Sequence, residues 1–263
     1  FRWKSAPSSG SFLIGQDSPC SRAVKRYNIS IIDGQTNVAF DRKANAVSKS
    51  PAIEVTDLRF AYGNRAVVNI GRCHLARGDS MAVIGPSGCG KTTFLHLLAG
   101  LIRPSAGVIQ ILGQDISALR ATELDRFRGQ HIGLVFQRFH LLPALTVRDN
   151  VLLAQRLSRA PIERTQVEAL FDRLDLAGLE HRKPSTLSQG QAQRSAIARA
   201  LVHGPELVMA DEPTSALDDQ SAERALALLK ESAQAVGAAL VVVTHDQRVR
   251  GHLDREFEMD AQP

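Results

Sequence analysis

Cysteine is scarce in this chain of 263 residues, which has three cysteines and one tryptophan. Cys20, Cys73 and Cys89 are widely spaced, form no C-x-x-C pair and have no histidine cluster at metal-ligand spacing. An odd number of cysteines at such spacing argues against a disulfide framework and against the common zinc sites. We therefore expect reduced thiols in a cytosolic setting.

Long apolar runs are also missing. The longest nearly apolar stretch, residues 235–243, is interrupted by Gly237, whereas a spanning helix needs about 20 apolar residues. Hydrophobic residues make up 44% of the chain and charged residues 22%, with a mean hydropathy of -0.11. These values are typical of ordinary globular proteins and argue against disordered, collagen-like and membrane-spanning classes.

Acidic residues are rare in one region only. Residues 1–50 hold eight of the 32 basic residues and three of the 27 acidic ones, together with nine serines, no glutamate and one leucine. This region carries the whole formal charge of +5, because the remainder has 24 basic and 24 acidic residues. We predict a basic, disordered tail over 1–50 and a folded domain over 51–263. The balanced charge of the domain argues against a nucleic-acid partner.

The role of the predicted tail has three alternatives. The tail has basic residues but lacks the uninterrupted apolar core of a secretory signal. It could be a basic arm against anionic lipid, a leader, or upstream sequence that does not belong to the native protein.

Strands and helices alternate after residue 51. A β-rich opening over 53–70 precedes a buried strand at Ser80–Ile84, and helical periodicity dominates residues 139–184. Further strands are predicted at 108–112, 131–136, 207–210 and 239–243, and helices at 91–101, 188–203 and 219–236. This alternation indicates a parallel sheet with helices on both faces.

A glycine-rich loop lies between the strand Ser80–Ile84 and the next helix, and it fits the phosphate-loop pattern G-x-x-x-x-G-K-[ST]. Successive N–H groups of such a loop point at phosphate oxygens, and the helix adds its positive end. We expect Lys91 to reach the β and γ phosphates of ATP and Thr92 to ligate Mg²⁺. The predicted phosphate-binding residues are Gly85, Pro86, Ser87, Gly88, Cys89, Gly90, Lys91, Thr92 and Thr93.

Two acidic residues follow a later apolar strand. Asp211 and Glu212 come directly after residues 207–210. An acid at the end of such a strand can hold the water shell of Mg²⁺, which is the role predicted for Asp211. Glu212 would lie near the γ phosphate and polarise the attacking water.

A five-residue motif separates this chain from other nucleotide-binding folds. Residues 187–191 read L-S-Q-G-Q and precede an alanine-rich helix. The motif resembles the L-S-G-G-Q signature of the ATP-binding subunits of ABC transporters, with Gln189 in place of the first glycine. Other marks of that family occur in the family's order, and the resemblance covers about residues 52–258. These marks are Tyr62, Gln137, Asp211, Glu212, residues 215–218 and His245.

The resemblance implies an α/β fold of the P-loop NTPase class. It has a RecA-like parallel sheet core, an N-terminal antiparallel β subdomain and an inserted helical subdomain at about 139–187. Two copies would pack head to tail around two ATP molecules, each held between the phosphate loop of one copy and the signature of the other. Ser188, Gly190 and Gln191 would contact the partner's ATP, and Asp218 would lie at the same seam. Ser188 can also cap its helix, whose N-terminus is a second anion-binding end.

The remaining roles are also implied by the resemblance. Tyr62 would stack on the adenine, and Gln137 would sense Mg²⁺ and the attacking water. His245 would contact the γ phosphate and act with Glu212, Gln137 and Lys91 in hydrolysis. The predicted metal-binding residues are Thr92, Gln137 and Asp211.

Residues 139–151 look like the stretch after the glutamine loop in ATPases of the lipoprotein-releasing and macrolide-exporting type. That resemblance implies separate transmembrane permease subunits and a peripheral location on the cytoplasmic face of the inner (plasma) membrane. A division-type ATPase that pulls on a membrane partner is an alternative. A soluble ABC ATPase of translation or DNA repair and a phosphotransferase are others, but a phosphotransferase would not need residues 187–191.

Overall fold

The computed structural model describes residues 27–32, 35–40, 50–159, 164–215 and 217–260. The chain divides into two compact units, Phe1–Lys49 and Ser50–Pro263. In the first unit, β1 (Tyr27–Ile32) pairs antiparallel with β2 (Gln35–Phe40). These strands lie inside the predicted tail, whose other residues except Ser50 fall outside the described ones, so the disordered-tail assignment stays a prediction.

Strands and helices alternate along the second unit, as the sequence predicts. The helical range predicted at about 139–187 holds the helices α3 and α4 defined below, and its assignment as a subdomain stays a prediction. No described helix is long and apolar enough to cross a membrane. The described elements are β3 (Ile53–Tyr62), β4 (Arg65–Leu75), β5 (Ser80–Ile84), α1 (Lys91–Leu98), β6 (Ala106–Ile111), β7 (Gln114–Asp115), α2 (Ala121–His131), β8 (Ile132–Val135), α3 (Val147–Ser158), α4 (Arg164–Arg173), α5 (Gln189–Leu201), β9 (Leu207–Asp211), α6 (Asp219–Ala235), β10 (Ala239–Thr244) and β11 (Arg255–Glu258), with single 3-10 turns at Pro184–Thr186 and Gln247–Val249.

The first sheet of this unit is antiparallel, with described strands in the order β4, β3, β6, β7. Its central strand β3 alternates, with Ile53 and Val55 facing the core. The alternation changes phase at Asp57, whose φ of 49° lies in the left-handed region, so that Leu58 is buried next. This sheet is the antiparallel β layer that the resemblance implies.

The second sheet is parallel and forms the base of the site. Its described strands lie in the order β11, β5, β10, β9, β8, and every residue of β5, β9 and β10 is buried. Continuous apolar runs of this kind are typical of strands covered on both faces. The register sets Ile84 beside Thr244 and Val243 beside Asp211. The carboxyl ends of β5, β9 and β10 therefore meet at one edge of the sheet, where ligands bind in open α/β sheets.

Helix α2 and strand β11 are among the described elements that the sequence did not predict. Helix α2 has a weak apolar pattern, with Leu124 as its one buried residue. Strand β11 lies at the sheet edge beside β5, and Phe257 is its one half-buried residue among exposed ones. Both elements bury too little apolar surface to leave a readable period in the sequence.

Candidate active site

The phosphate loop joins the buried strand β5 to helix α1, and close approach to other backbone restricts it. Gly88 and Gly90 have φ values of 80° and 98°, in the region that favours glycine. A Cβ atom at Gly90 would also lie 2.5 Å from the main-chain oxygen of Val67, and one at Gly85 would lie 2.3 Å from that of Met259. Larger residues at these positions would displace the loop.

Lys91, the first residue of α1, is 6% exposed and points back into the curl of the loop. Its ammonium group donates hydrogen bonds of 2.9 Å to the main-chain oxygens of Gly85 and Pro86 and lies 3.9 Å from the Cys89 sulfur. All of these partners are uncharged or weakly polar. A buried cation with neutral acceptors is well suited to an anionic ligand.

The next residue of α1 contacts the end of β9. The hydroxyl of Thr92 donates a hydrogen bond of 3.1 Å to Oδ1 of Asp211. Burial raises the pKa of the Asp211 carboxyl, because desolvation outweighs the stabilisation of the charged form by that hydrogen bond. The structure thus brings together two of the residues predicted to bind the metal.

Glu212 follows β9 with a φ of 49°, and its carboxylate faces the end of β10. Oε2 accepts a hydrogen bond of 2.9 Å from the Thr244 hydroxyl, and Oε1 accepts one of 3.1 Å from the main-chain N–H of His245. Oε1 also lies 2.7 Å from Nδ1 of His245. The Glu212 side chain is 13% exposed and the His245 side chain 49%. Two of the four predicted catalytic residues, Glu212 and His245, are therefore in direct contact, and His245 reaches solvent.

Gln137 lies two residues beyond β8 and joins the same cluster. Its amide Nε2 donates a hydrogen bond of 3.2 Å to the Ser215 hydroxyl. That hydroxyl in turn donates one of 3.1 Å to the main-chain oxygen of Glu212. Gln137 is thus linked to the acidic residue through one intermediate side chain.

Tyr62, predicted to stack on adenine, ends strand β3 and is 56% exposed. Its ring meets that of Phe60 edge-on, with ring centroids 4.8 Å apart. One face of a partly exposed aromatic ring is suited to stacking on a flat ligand.

The signature residues Ser188 and Gln191 hydrogen-bond to each other at the start of α5. Ser188 caps α5: its hydroxyl accepts a hydrogen bond of 3.3 Å from the N–H of Gln191, and its own N–H donates one of 3.0 Å to the Gln191 side chain. A Cβ atom at Gly190 would meet nothing within 4 Å. No described hydrogen bond joins Ser188 or Gln191 to the phosphate loop.

Asp218 caps α6 in the same way, by accepting a hydrogen bond of 3.0 Å from the N–H of Ser221. The hydrogen bonds that it accepts from Ser221 lower the pKa of its carboxyl. Asp218 is exposed. Ala216, in the same motif, lies outside the described residues.

Sequence reasoning missed two supporting contacts. Thr244 is fully buried and holds Oε2 of Glu212. The Thr214 hydroxyl donates a hydrogen bond of 2.9 Å to Oδ2 of Asp246, which ties the segment after Glu212 to the segment after His245. No local pattern marks either threonine, since each contact joins residues 32 positions apart.

A comparison with protein families identifies the family of this chain. The model of the ABC transporter family matches residues 60–215, which span the phosphate loop, the signature and the acidic pair. This chain belongs to the ABC transporter family. The family, the fold class and ATPase activity predicted from the sequence are thereby confirmed, and a phosphotransferase is not favoured.

Two relatives agree with the family. The chain is 43% identical over 187 residues to the lipoprotein-releasing system ATP-binding protein LolD of Hydrogenovibrio crunogenus, covering 70% of this chain and 81% of that protein. It is 41% identical over 216 residues to the macrolide export ATP-binding/permease protein MacB of Sodalis glossinidius, covering 80% of this chain and 33% of that longer protein. The chain thus spans about a third of the second relative.

A solved structure gives the same assignment. The dimeric post-hydrolysis state of an ATP-binding cassette, bound to ADP and phosphate, has a TM-score of 0.71 to this chain at 31% sequence identity. The match covers 80% of this chain and 97% of that one. This member of the ABC family is an ATPase, the ATP-binding and ATP-hydrolysing subunit of a transporter.

Proposed function

We propose that this chain energises a transporter of the lipoprotein-releasing or macrolide-exporting type. It would act as a head-to-tail pair of copies on Mg-ATP, peripherally, at the cytoplasmic face of the inner membrane. The observation that carries this proposal is the 43% identity to a LolD protein over 81% of its length. Separate transmembrane permease subunits would complete the complex.

The residues at the sheet edge fit Mg²⁺ and triphosphate. The hydroxyl of Thr92 and a carboxylate oxygen of Asp211 lie 3.1 Å apart, and oxygen donors are the ligands that Mg²⁺ prefers. The Lys91 ammonium, which is held by main-chain oxygens, can exchange them for phosphate oxygens. The metal would neutralise phosphate charge, with Thr92, Asp211 and Gln137 as the residues near it.

The contacts of Glu212 support a role as general base. Its carboxylate is oriented by Thr244 and by the backbone of His245, which would hold it in place to accept a proton from the attacking water. His245, in contact with the same carboxylate and 49% exposed, would face the γ phosphate. Lys91 would stabilise the charge that develops on that group.

The exposure of the signature supports the head-to-tail pair. Ser188 and Gly190 are exposed, and the space around Gly190 is open. The N-terminus of α5 carries partial positive charge, which would serve the nucleotide of a second copy. Gln191 and Asp218 would lie at the same interface, and Tyr62 would stack on the adenine bound by its own chain.

Co-purification and reconstitution test the transporter type. The tagged chain, expressed in its source cells and extracted in mild detergent, should retain an integral membrane protein. In proteoliposomes, the complex should release a lipoprotein or move a macrolide only with ATP, and Glu212→Gln should abolish the movement without loss of the membrane partner. A native chain that hydrolyses ATP but retains no membrane protein under these conditions would refute the transporter type and leave the ATPase assignment intact.

A further inference from the structure

Helix α5 contacts two of the loops that carry proposed catalytic residues of its own chain, the Glu212 loop and the Gln137 loop. The amide Nε2 of Gln193 donates a hydrogen bond of 3.1 Å to the main-chain oxygen of Pro213, the residue after Glu212. Six positions further along the helix, the guanidinium of Arg199 donates bonds of 2.9 and 2.6 Å to the main-chain oxygens of Phe139 and His140. These two residues follow Gln137 closely.

The environment of Arg199 argues against a role in stability alone. Burial lowers the pKa of its guanidinium, because desolvation disfavours the charged form. Its two described acceptors are neutral carbonyls, and a desolvated cation gains less from these than from a carboxylate. The planar guanidinium can hold two successive carbonyls at once, which a single ammonium cannot do with the same geometry. The arrangement fixes the course of the loop.

The loop that Arg199 holds has an unusual backbone. His140 has a φ of 48°, which is uncommon for a residue with a side chain. Its ring packs edge-on against that of Phe136, with centroids 5.3 Å apart. A conformation of this kind persists where the surroundings hold it, and Arg199 supplies two of those contacts.

Helix α5 can serve as a rigid support because it lies directly on the sheet. A Cβ atom at Gly133, in strand β8, would lie 2.4 Å from the main-chain oxygen of Ala200 in α5. The helix and the strand that leads to Gln137 therefore pack backbone to backbone. Gln193 is 6% exposed, so its contact with Pro213 is also shielded from water.

We propose that Gln193 and Arg199 are positioning residues, through which the signature helix holds the Glu212 loop and the Gln137 loop in their working geometry. This inference rests on the proposed roles of Glu212 and Gln137. It adds that the helix capped by Ser188, whose N-terminus would face the partner's ATP, also positions the hydrolytic residues of its own copy. The two side chains act at different points: Gln193 positions the loop of Glu212, the proposed base, and Arg199 positions the loop of Gln137, the proposed metal ligand.

The test compares Gln193→Met and Arg199→Met, which keep chain length but remove the donors, with Arg199→Lys. Arg224→Met and Gln234→Met are matched controls, since both residues are exposed on α6. For each variant the kcat, the dissociation constant for ATP and the Mg²⁺ concentration for half-maximal ATPase are measured, with thermal melting as the check on folding. Both methionine variants should lower kcat about tenfold, as expected for the loss of one oriented contact, with less than about a twofold change in ATP affinity.

Mg²⁺ dependence separates positioning from general destabilisation. Arg199→Met should raise the Mg²⁺ requirement severalfold, Arg199→Lys should restore part of the loss, and Gln193→Met should leave the requirement unchanged. In the double variant Gln137→Ala/Arg199→Met, the loss should equal that of Gln137→Ala alone, because both changes disable one unit.

Three results overturn the inference. If Gln137→Ala raises the Mg²⁺ requirement but Arg199→Met does not, or if their losses in kcat add fully, Arg199 does not act through Gln137. If Gln137→Ala itself leaves kcat and the Mg²⁺ requirement at native values, the proposed role of Gln137 fails, and the role of Arg199 fails with it. Should Arg199→Met not fold, Arg199→Lys gives the same comparison.

Discussion

Replacing Glu212 by glutamine should stop hydrolysis while preserving the fold and the ATP site. The substitution keeps the shape of the side chain but replaces one carboxylate oxygen with an amide NH2, so either the hydrogen bond from the Thr244 hydroxyl or the one from the His245 main-chain N–H is lost. Loss of one such hydrogen bond costs about 1 kcal/mol, which is small against the roughly 5–15 kcal/mol that stabilises a domain. The melting temperature should therefore fall by about 2–4 °C for a domain of this size.

The effect on catalysis should be much larger. A positioned general base contributes about 10²–10⁴-fold, equivalent to about 3–5 kcal/mol of transition-state stabilisation. Phosphate release should fall by at least about 100-fold. ATP affinity should stay near the native value, because Lys91 and the loop from Gly85 to Gly90 are unchanged.

The assay is phosphate release with excess Mg-ATP, combined with size-exclusion chromatography in the presence and absence of ATP. The variant should elute as a dimer with ATP, since closure is retained and reopening by hydrolysis is not. Glu223→Gln, an exposed glutamate on α6, is the matched control. Native turnover in Glu212→Gln would show that this carboxylate is not the base, and a variant that remains monomeric with ATP would refute the trapped pair.

Two further predictions concern the phosphate loop, and a third concerns the carboxylate of Asp246. Lys91→Ala should weaken ATP binding more than about tenfold, because it removes a charge-assisted contact to phosphate; isothermal calorimetry would detect an unchanged affinity and so contradict this role. Gly85→Ala should lower the free energy of unfolding by about 1–3 kcal/mol and weaken ATP binding, because the new Cβ atom would lie 2.3 Å from a main-chain oxygen. Gly71→Ala is the control and should have neither effect, because its Cβ atom would meet nothing within 4 Å. Arg248 lowers the pKa of the Asp246 carboxyl to about 2. This stabilisation is complete above the unfolded-state pKa of about 4 and is lost as the pH falls towards 2. Asp246→Asn should therefore reduce the free energy of unfolding at pH 7 by about 2 kcal/mol and flatten the loss of stability in acid. Equal urea midpoints for the native protein and the variant at pH 7 would contradict this prediction.

The phosphate loop and the acidic pair were readable from the sequence because each depends on a few adjacent residues. Glycines at 88 and 90 are required by a backbone with positive φ, and the lysine and threonine next to them complete the phosphate-loop pattern. The buried strands β5, β9 and β10 were readable for a similar reason, since burial on both faces leaves a continuous apolar run.

Other elements and contacts of the fold had no local signal in the sequence. Helix α2 and the edge strand β11 bury little apolar surface, so periodicity did not reveal them. Gln193 and Arg199 look like ordinary polar residues of an amphipathic helix. Only their contacts with Pro213 and with the two residues at 139 and 140 separate them from solvent-facing side chains.

The sequence by itself determined the chemical groups of this ABC ATPase, their order along the chain and the conformations that a few neighbouring residues require. The tertiary structure decided which groups meet. Glu212 contacts His245 because the parallel register sets Asp211 beside Val243, and Gln137 reaches the same edge because β8 lies next to β9. Register and strand order depend on packing between segments far apart in the chain, so a motif can name a residue without indicating what holds it in place.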